Sequence, residues 1–368
     1  MDYSLEKLAK KIINYSLNLQ SNERVLISYS TLADIDLLKC LIKEILLVKS
    51  IPYVAFNHPT ISYLLVEGTT DERIKLLKDL ADQDVYNYDA FINVRYNYND
   101  YEGKDVDKNI LAKIGSKLKE SHDIRINQKK WVLLNYPSLI DSFKAKMSTS
   151  DYRNFALEVM NVDYNEMNKK IEPLKRLMEQ TDKVRITGKN TDITFSIKGM
   201  PIIPCVGDKN IPDGEIYVAP IKDSVNGIIT YNTPSPYQGN IYNNVSLTFK
   251  DGQIVTATAD NDVGDLNKIF NIDEGSRYIG EFSLGLNPKI LHPIGDILYD
   301  EKIIGSLHFT PGAAYKDSYN GNDSSIHWDM VLIQREEYGG GDIYFDDLLI
   351  RHNGMFVLEE LKELNYNN

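Results

Sequence analysis

The sequence predicts an α/β domain with a mostly parallel sheet over residues 1–170, followed by a β-rich α+β domain over residues 171–368. Three observations predict this. The first 150 residues alternate helical and strand patterns, whereas from about Val184 the pattern turns to short alternating runs separated by tight turns. A chain of 368 residues is also longer than a single hydrophobic core usually organises.

The elements follow in order. Leu5, Leu8, Ile12, Ile13 and Ser16 recur at helical spacing. Val25-Leu26-Ile27-Ser28-Tyr29 is a short apolar run suited to a strand buried on both faces. From Asp34 to Val48 the pattern is helical again, with Leu37, Leu38, Leu41, Ile42 and Ile45 on one stripe. Tyr53-Val54-Ala55-Phe56 predicts a second buried strand, Asp71 to Ala81 a helix, and Ala90 to Val94 a third strand. A βαβαβ rhythm of this kind builds a parallel, doubly wound sheet. No G-x-G-x-x-G follows the first strand, which argues against a dinucleotide site. A helical segment from Ser150 to Met178 leads out of the domain, with the boundary between about residues 165 and 182.

In the second half, Val184–Thr187 and Ile193–Ile197 flank a turn containing Gly188 and Asn190. Val245–Phe249 and Ile254–Ala257 flank Asp251-Gly252, a strong hairpin signal. Ile343–Phe345 and Met355–Val357 read as paired strands around His352-Asn353-Gly354.

A net charge of −12 argues against nucleic acid or an anionic membrane surface as the main partner. Two isolated cysteines, Cys40 and Cys205, fit a reducing compartment. The start, Met1 to Glu6, has no apolar leader pattern, and no run approaches the roughly 20 apolar residues of a membrane span. The expectation is a soluble cytoplasmic protein.

Chemistry concentrates in Ser325-Ile326-His327-Trp328-Asp329. A strand points residues i and i+2 to one face, so His327 and Asp329 converge on one point, as a metal ion requires. Pro212-Asp213-Gly214-Glu215, Gly280-Glu281-Phe282-Ser283-Leu284-Gly285 and Gly305-Ser306-Leu307-His308 each add a metal-capable residue beside glycine or in a strand. Two imidazoles with several carboxylates form a donor set that suits zinc, cobalt or manganese. Carboxylate-rich sites holding two ions about 3.5–4 Å apart are common in hydrolases. Glu301, between Asp300 and Lys302, reads as a solvated turn, and His58 before Pro59 as a loop residue. There is no Gly-x-Ser-x-Gly elbow, and neither cysteine has a histidine partner, which argues against nucleophilic hydrolase chemistry.

These motifs, in this order, resemble the thermophilic-type metallo-aminopeptidases, the aminopeptidase T and aminopeptidase S group. The matching stretches are Asn210–Glu215 with Ala219-Pro220, Gly280-Glu281 with Leu284-Gly285, Gly305–His308 with Gly312 and Tyr315, and Asn322–Asp329. Trp131–Pro137 and Val184–Gly188 are further landmarks. The resemblance implies a metal site made of Glu215, Glu281, His308, Tyr315, His327 and Asp329. It implies two divalent ions, Glu215 and Glu281 as candidates for the general base, and Tyr315 as a ligand or an oxyanion donor. It also implies a homodimer that acts on short peptides with a free N-terminus. Phe309-Thr310-Pro311 departs from the small apolar run that usually follows the first histidine. Two other readings share the ligand set: another di-metal hydrolase of amides or small esters, and a non-catalytic protein on the same fold.

Overall fold

The computed structural model describes residues 3–99, 102, 105–237 and 239–366; Met1 and Asp2, which enter the leader reading, lie outside them. The chain divides into two compact units. One runs to Asn161 and takes in Gly207–Pro212; the other takes Val162–Val206 and continues from Asp213.

The first unit is built on a five-stranded sheet in the spatial order Ile51–Asn57, Arg24–Ser30, Ala90–Tyr96, Lys130–Tyr136 and Asn210–Ile211. Every pairing is parallel, as the βαβ rhythm requires. Val25, Ile27 and Tyr29 of the second strand are fully buried. The helix Ile35–Leu47 starts where the Asp34 side chain accepts the Asp36 N–H, and its stripe of Leu37, Leu38, Leu41 and Ile45 is buried. One expectation fails here. The strand Ile51–Asn57 is present, but it forms the sheet edge, with Tyr53 and Phe56 each 58% exposed. An apolar run has the same pattern in a central and an edge strand, and only the neighbours distinguish them. A helix at Pro59–Glu67 with Pro59 in its first turn was not foreseen. The predicted helix Ser150–Met178 is two, Thr149–Met160 and Tyr164–Gln180, the second capped by Asp163 accepting the Glu166 N–H.

The second unit contains an eight-stranded antiparallel sheet and a five-stranded one. The larger runs Gln253–Thr258, Ser246–Lys250, Asn226–Thr230, Thr191–Ser196, Lys183–Gly188, Gly341–Phe345, Leu348–His352 and Met355–Phe356. Two hairpins turn on pairs of residues with positive φ: Asp251 and Gly252 (+49° and +83°), and Asn353 and Gly354 (+47° and +77°). The expected pairing of Ile343–Phe345 with Met355–Val357 does not form: Leu348–His352 lies between them and pairs with both, because Asp346 and Asp347 close an earlier hairpin that the sequence pattern does not mark.

The smaller sheet runs Val331–Ile333, Ser306–Pro311, Ile279–Gly285, Glu215–Val218 and Ile203–Cys205. One of its faces is a packed aromatic core. Phe282 and Phe309 both lie with ring centroids 5.0 Å from Phe195 of the larger sheet, and Phe249 stands edge-on to Phe309 at 6.0 Å. Burying each of these rings contributes about 2–3 kcal/mol. The other face of the same strands is polar.

Candidate metal centre

Strand alternation assembles the polar face. Ile216, Val218, Phe282, Leu284, Leu307 and Phe309 point into the core, so Glu215, Tyr217, Glu281, Ser283, His308 and Thr310 share the opposite side. The register brings them together: Ser283 pairs with both His308 and Tyr217, and Glu281 pairs with Thr310. Glu215, Glu281 and His308 are only 6%, 3% and 1% exposed. Charged groups this buried need partners.

The partners are one another. His308 Nε2 lies 3.1 Å from Glu281 Oε1 and 3.4 Å from Glu215 Oε2. His327 Nε2 lies 3.4 Å from Glu281 Oε2 and 3.3 Å from Asp329 Oδ1. Each histidine commits its other nitrogen to a backbone carbonyl: His308 Nδ1 to Glu301 at 3.1 Å, His327 Nδ1 to Ala313 at 2.8 Å. Donation from Nδ1–H leaves Nε2 with its lone pair aimed at carboxylate oxygens. That opposition of negative surfaces is relieved only by a cation between them, either a proton on Nε2 or a metal ion.

The electrostatics follow. Burial pulls His308 down, yet its hydrogen bond to Glu281 and the charges of Glu215 and Asp329 outweigh it and push the imidazole up to about 10. His327 is raised in the same way, against burial, by Asp329 and Glu281. Burial works to raise Glu281 and Asp329, but the histidines hold both below the usual carboxylate range, helped at Asp329 by the Thr310 hydroxyl. Burial raises Glu215, with Lys302 and His308 pulling against it.

His327 and Asp329 converge as expected, though not within a regular strand. The segment is extended, joined to the sheet by a single bridge between His327 and Gly312, and the strand proper starts at Val331. A Cβ on Gly312, whose φ is +110°, would sit 2.2 Å from the Ile326 carbonyl, so only glycine allows this approach. Between the two polar residues Trp328 points the other way, with ring centroids 4.7, 5.5 and 5.9 Å from Tyr237, Tyr242 and Phe270. The indole anchors the segment, and the pair faces the carboxylates. The departure at Phe309-Thr310-Pro311 has a structural role: Phe309 fills the core, and Thr310 Oγ1 donates to Asp329 Oδ1 at 2.7 Å.

Tyr315 reaches the site with its ring 4.6 Å from that of His327 and 5.8 Å from that of Tyr217. Its phenol is pushed up by burial and by the carboxylates of Glu281, Asp329, Glu301 and Glu215.

Two residues of the site escaped the sequence reading. Glu301 and Lys302 do not form a solvated turn; Lys302 is fully buried, ion-paired with Glu301, and 3.6 Å from Glu215 Oε1. Burial works to raise Glu301, and the charges of Glu215 and Asp329 add to it, against the pull of Lys302. Burial pulls Lys302 down, but Glu301, Glu215 and Asp213 outweigh it and keep the ammonium charged. The tripeptide Asp300-Glu301-Lys302 has the composition of a surface turn, so only the tertiary fold identifies it. Cys205, isolated in the sequence, lies in a donor group with Asp213 and Glu215.

Among the described residues, three donor groups have ligand atoms all within 4.8 Å of one another: Cys205, Asp213 and Glu215; Glu215, Glu281 and His308; and Glu281, His327 and Asp329. The last two share Glu281 and contain both imidazoles, which fits divalent zinc-like ions. A family model for thermophilic metalloproteases (M29) matches residues 1–343. The chain belongs to this family.

Family membership implies a divalent metal, and the imidazole–carboxylate groups are the place for it. Aminopeptidase 2 of Geobacillus stearothermophilus is 31% identical over 158 residues, 37% of this chain and 36% of the relative. The match thus spans about a third of that relative's length. The fold is that of wild-type AmpT from Thermus thermophilus, with a TM-score of 0.79 at 17% identity over 96% of this chain and 99% of the other. A 2,5-dihydroxypyridine dioxygenase from Pseudomonas putida shares it less closely, with a TM-score of 0.62 at 15% identity over 97% and 98% of the two chains. This fold is therefore not confined to one reaction, and the activity has to be argued from the site.

Proposed function

We propose that this M29 protein is a metal-dependent aminopeptidase that holds two divalent ions and hydrolyses the N-terminal bond of short peptides. One observation carries the reading. Glu281 turns one oxygen to each histidine, so a single carboxylate is shared by two imidazole–carboxylate groups. Glu215, Glu281 and His308 would hold one ion; Glu281, His327 and Asp329 the other. Zinc, cobalt and manganese all suit this donor set. Bound there, they supply Lewis acidity, which activates a water and polarises a carbonyl.

The chain's own residues do the rest. The backbone carbonyls of Glu301 and Ala313 fix the ring orientation of His308 and His327. Ser283 Oγ donates to Glu215 Oε2 at 3.0 Å, and Thr310 orients Asp329. Glu215 and Glu281 are the carboxylates inside the cluster that can take a proton from water and return it to the leaving amine. Tyr315 keeps its proton at neutral pH, since its phenol is raised, and so can donate a hydrogen bond to a developing oxyanion. The reading includes a cytoplasmic homodimer; the two lone cysteines support the reducing compartment.

The test compares a di- or tripeptide with its N-acetylated form, before and after chelation. Cleavage of the free peptide alone, lost with the metal and restored by zinc, cobalt or manganese, is the expected result. Equal turnover of the two forms would overturn the aminopeptidase reading in favour of a general amide hydrolase.

A further inference from the structure

The two halves of the centre differ in one respect. At the Glu281–His327–Asp329 end the partners are imidazoles and a threonine hydroxyl. Among the described residues no lysine or arginine nitrogen lies within 4.0 Å of the Glu281 or Asp329 carboxylates. At the Glu215 end stands Lys302, fully buried, ion-paired with Glu301 and 3.6 Å from Glu215 Oε1. The lysine is held in place by its setting. The carbonyl of Glu301 receives His308 Nδ1, which ties the Glu301–Lys302 turn to the same imidazole that faces Glu215 and Glu281.

An ammonium has three N–H donors and no lone pair, so it is a competitor for carboxylate oxygens and never a ligand. It is also a fixed unit charge in a site sheltered from water, where like charges repel far more strongly than in bulk solvent. A divalent ion on Glu215 and His308 must share Glu215 with that ammonium and lie close to it. An ion on His327 and Asp329 is spared both penalties.

We propose that Lys302 is a resident cation that makes the two metal positions unequal. The Glu281–His327–Asp329 position fills first and tightly; the Glu215–Glu281–His308 position fills second and weakly, in competition with Lys302. This inference rests on the metal-dependent reading above. Its consequence is that the singly loaded protein is the stable resting form, and that free metal concentration governs how much of the doubly loaded form exists.

The test uses the full-length protein stripped with a chelator and titrated with Co²⁺, followed by calorimetry and by visible absorption. The wild type is expected to show two binding events separated by about tenfold or more in affinity, since a single nearby charge is worth at least that much in a sheltered site. Glu215→Gln is expected to remove the second event and keep the first. Lys302→Met is expected to tighten the second event about tenfold or more with little change in the first, while Lys302→Arg keeps it weak. If Lys302→Met does not fold, because Glu215 and Glu301 are left unpaired, Lys302→Gln carries the same comparison with a neutral side chain. Two equal events in the wild type, or a second event unmoved by the neutral variants, would overturn the inference and leave the metal-dependent reading standing. Absence of any Co²⁺ binding by the wild type would overturn that reading as well.

Discussion

His308 and His327 face the two oxygens of one carboxylate: Glu281 Oε1 is 3.1 Å from His308 Nε2, and Glu281 Oε2 is 3.4 Å from His327 Nε2. Neither imidazole reaches Glu281 through its Nδ1, which is committed to a carbonyl in each case. The centre therefore has a hub. Glu281 belongs to both of the proposed metal positions, which distinguishes it from every other acid in the cluster.

Glu281→Gln is expected to lose ion binding at both positions and to lower kcat/KM by about a thousandfold or more. Metal content after dialysis and peptide turnover are the two measurements. A variant that keeps its metal complement would remove Glu281 from the bridging role.

Thr310 acts through Asp329, whose Oδ1 accepts a hydrogen bond from its hydroxyl. Thr310→Val, which deletes the hydroxyl at nearly constant volume, is expected to weaken metal binding about 10- to 100-fold. Thr310→Ser should recover most of that loss, because the donor returns. Competition with a metal-sensitive dye reads both, and equal affinity in Val and Ser variants would reduce Thr310 to a packing residue.

Trp328 is buried among Tyr237, Tyr242 and Phe270 on the side away from the site. Trp328→Ala is expected to cost about 3–5 kcal/mol, through a cavity and the loss of ring contacts. It should also loosen the flanking His327 and Asp329, so that metal affinity falls along with the denaturant midpoint. Full stability in urea would show that the aromatic cluster does not anchor the segment.

Asp300 gives the pH dependence. Burial pushes its carboxyl up to about 7 from 3.8, against N–H donation from Ile294 and Gly295. A raised folded-state value means that the protonated acid favours the fold; this contribution is complete below about pH 4 and is lost as pH rises through 7. The full span has a ceiling of about 4 kcal/mol. The urea midpoint of the wild type should fall between pH 5 and pH 8, and that of Asp300→Asn should be flatter over the same range. Identical slopes would show that Asp300 is ordinary.

Much of the site was legible because strand alternation leaves a mark in sequence. In Glu281-Phe282-Ser283-Leu284 and Leu307-His308-Phe309-Thr310, polar and apolar residues alternate as they do in ordinary surface strands, yet every position here is buried. The motif order distinguished the two, and it included Gly312, whose close approach to the Ile326 carbonyl only the structure shows. The burial of Glu301 and Lys302 left no such mark. Their neighbours in sequence are those of a solvated turn, and the cost of burying an ion pair is offset by the nearby Glu215, a contact distant in sequence.

The same division holds for the fold. By itself the sequence determined that a parallel α/β unit precedes an antiparallel β-rich one, and that Asp251-Gly252 closes a hairpin, because periodicity and turn residues act over a few positions. It also determined the residue types that meet at the centre. Only the tertiary structure decided that Ile51–Asn57 is an edge, that Thr310 serves Asp329, and that a lysine lies among the acids. Each of these depends on which strand lies beside which, and burial and electrostatic pairing are properties of neighbours in space, which local sequence does not specify.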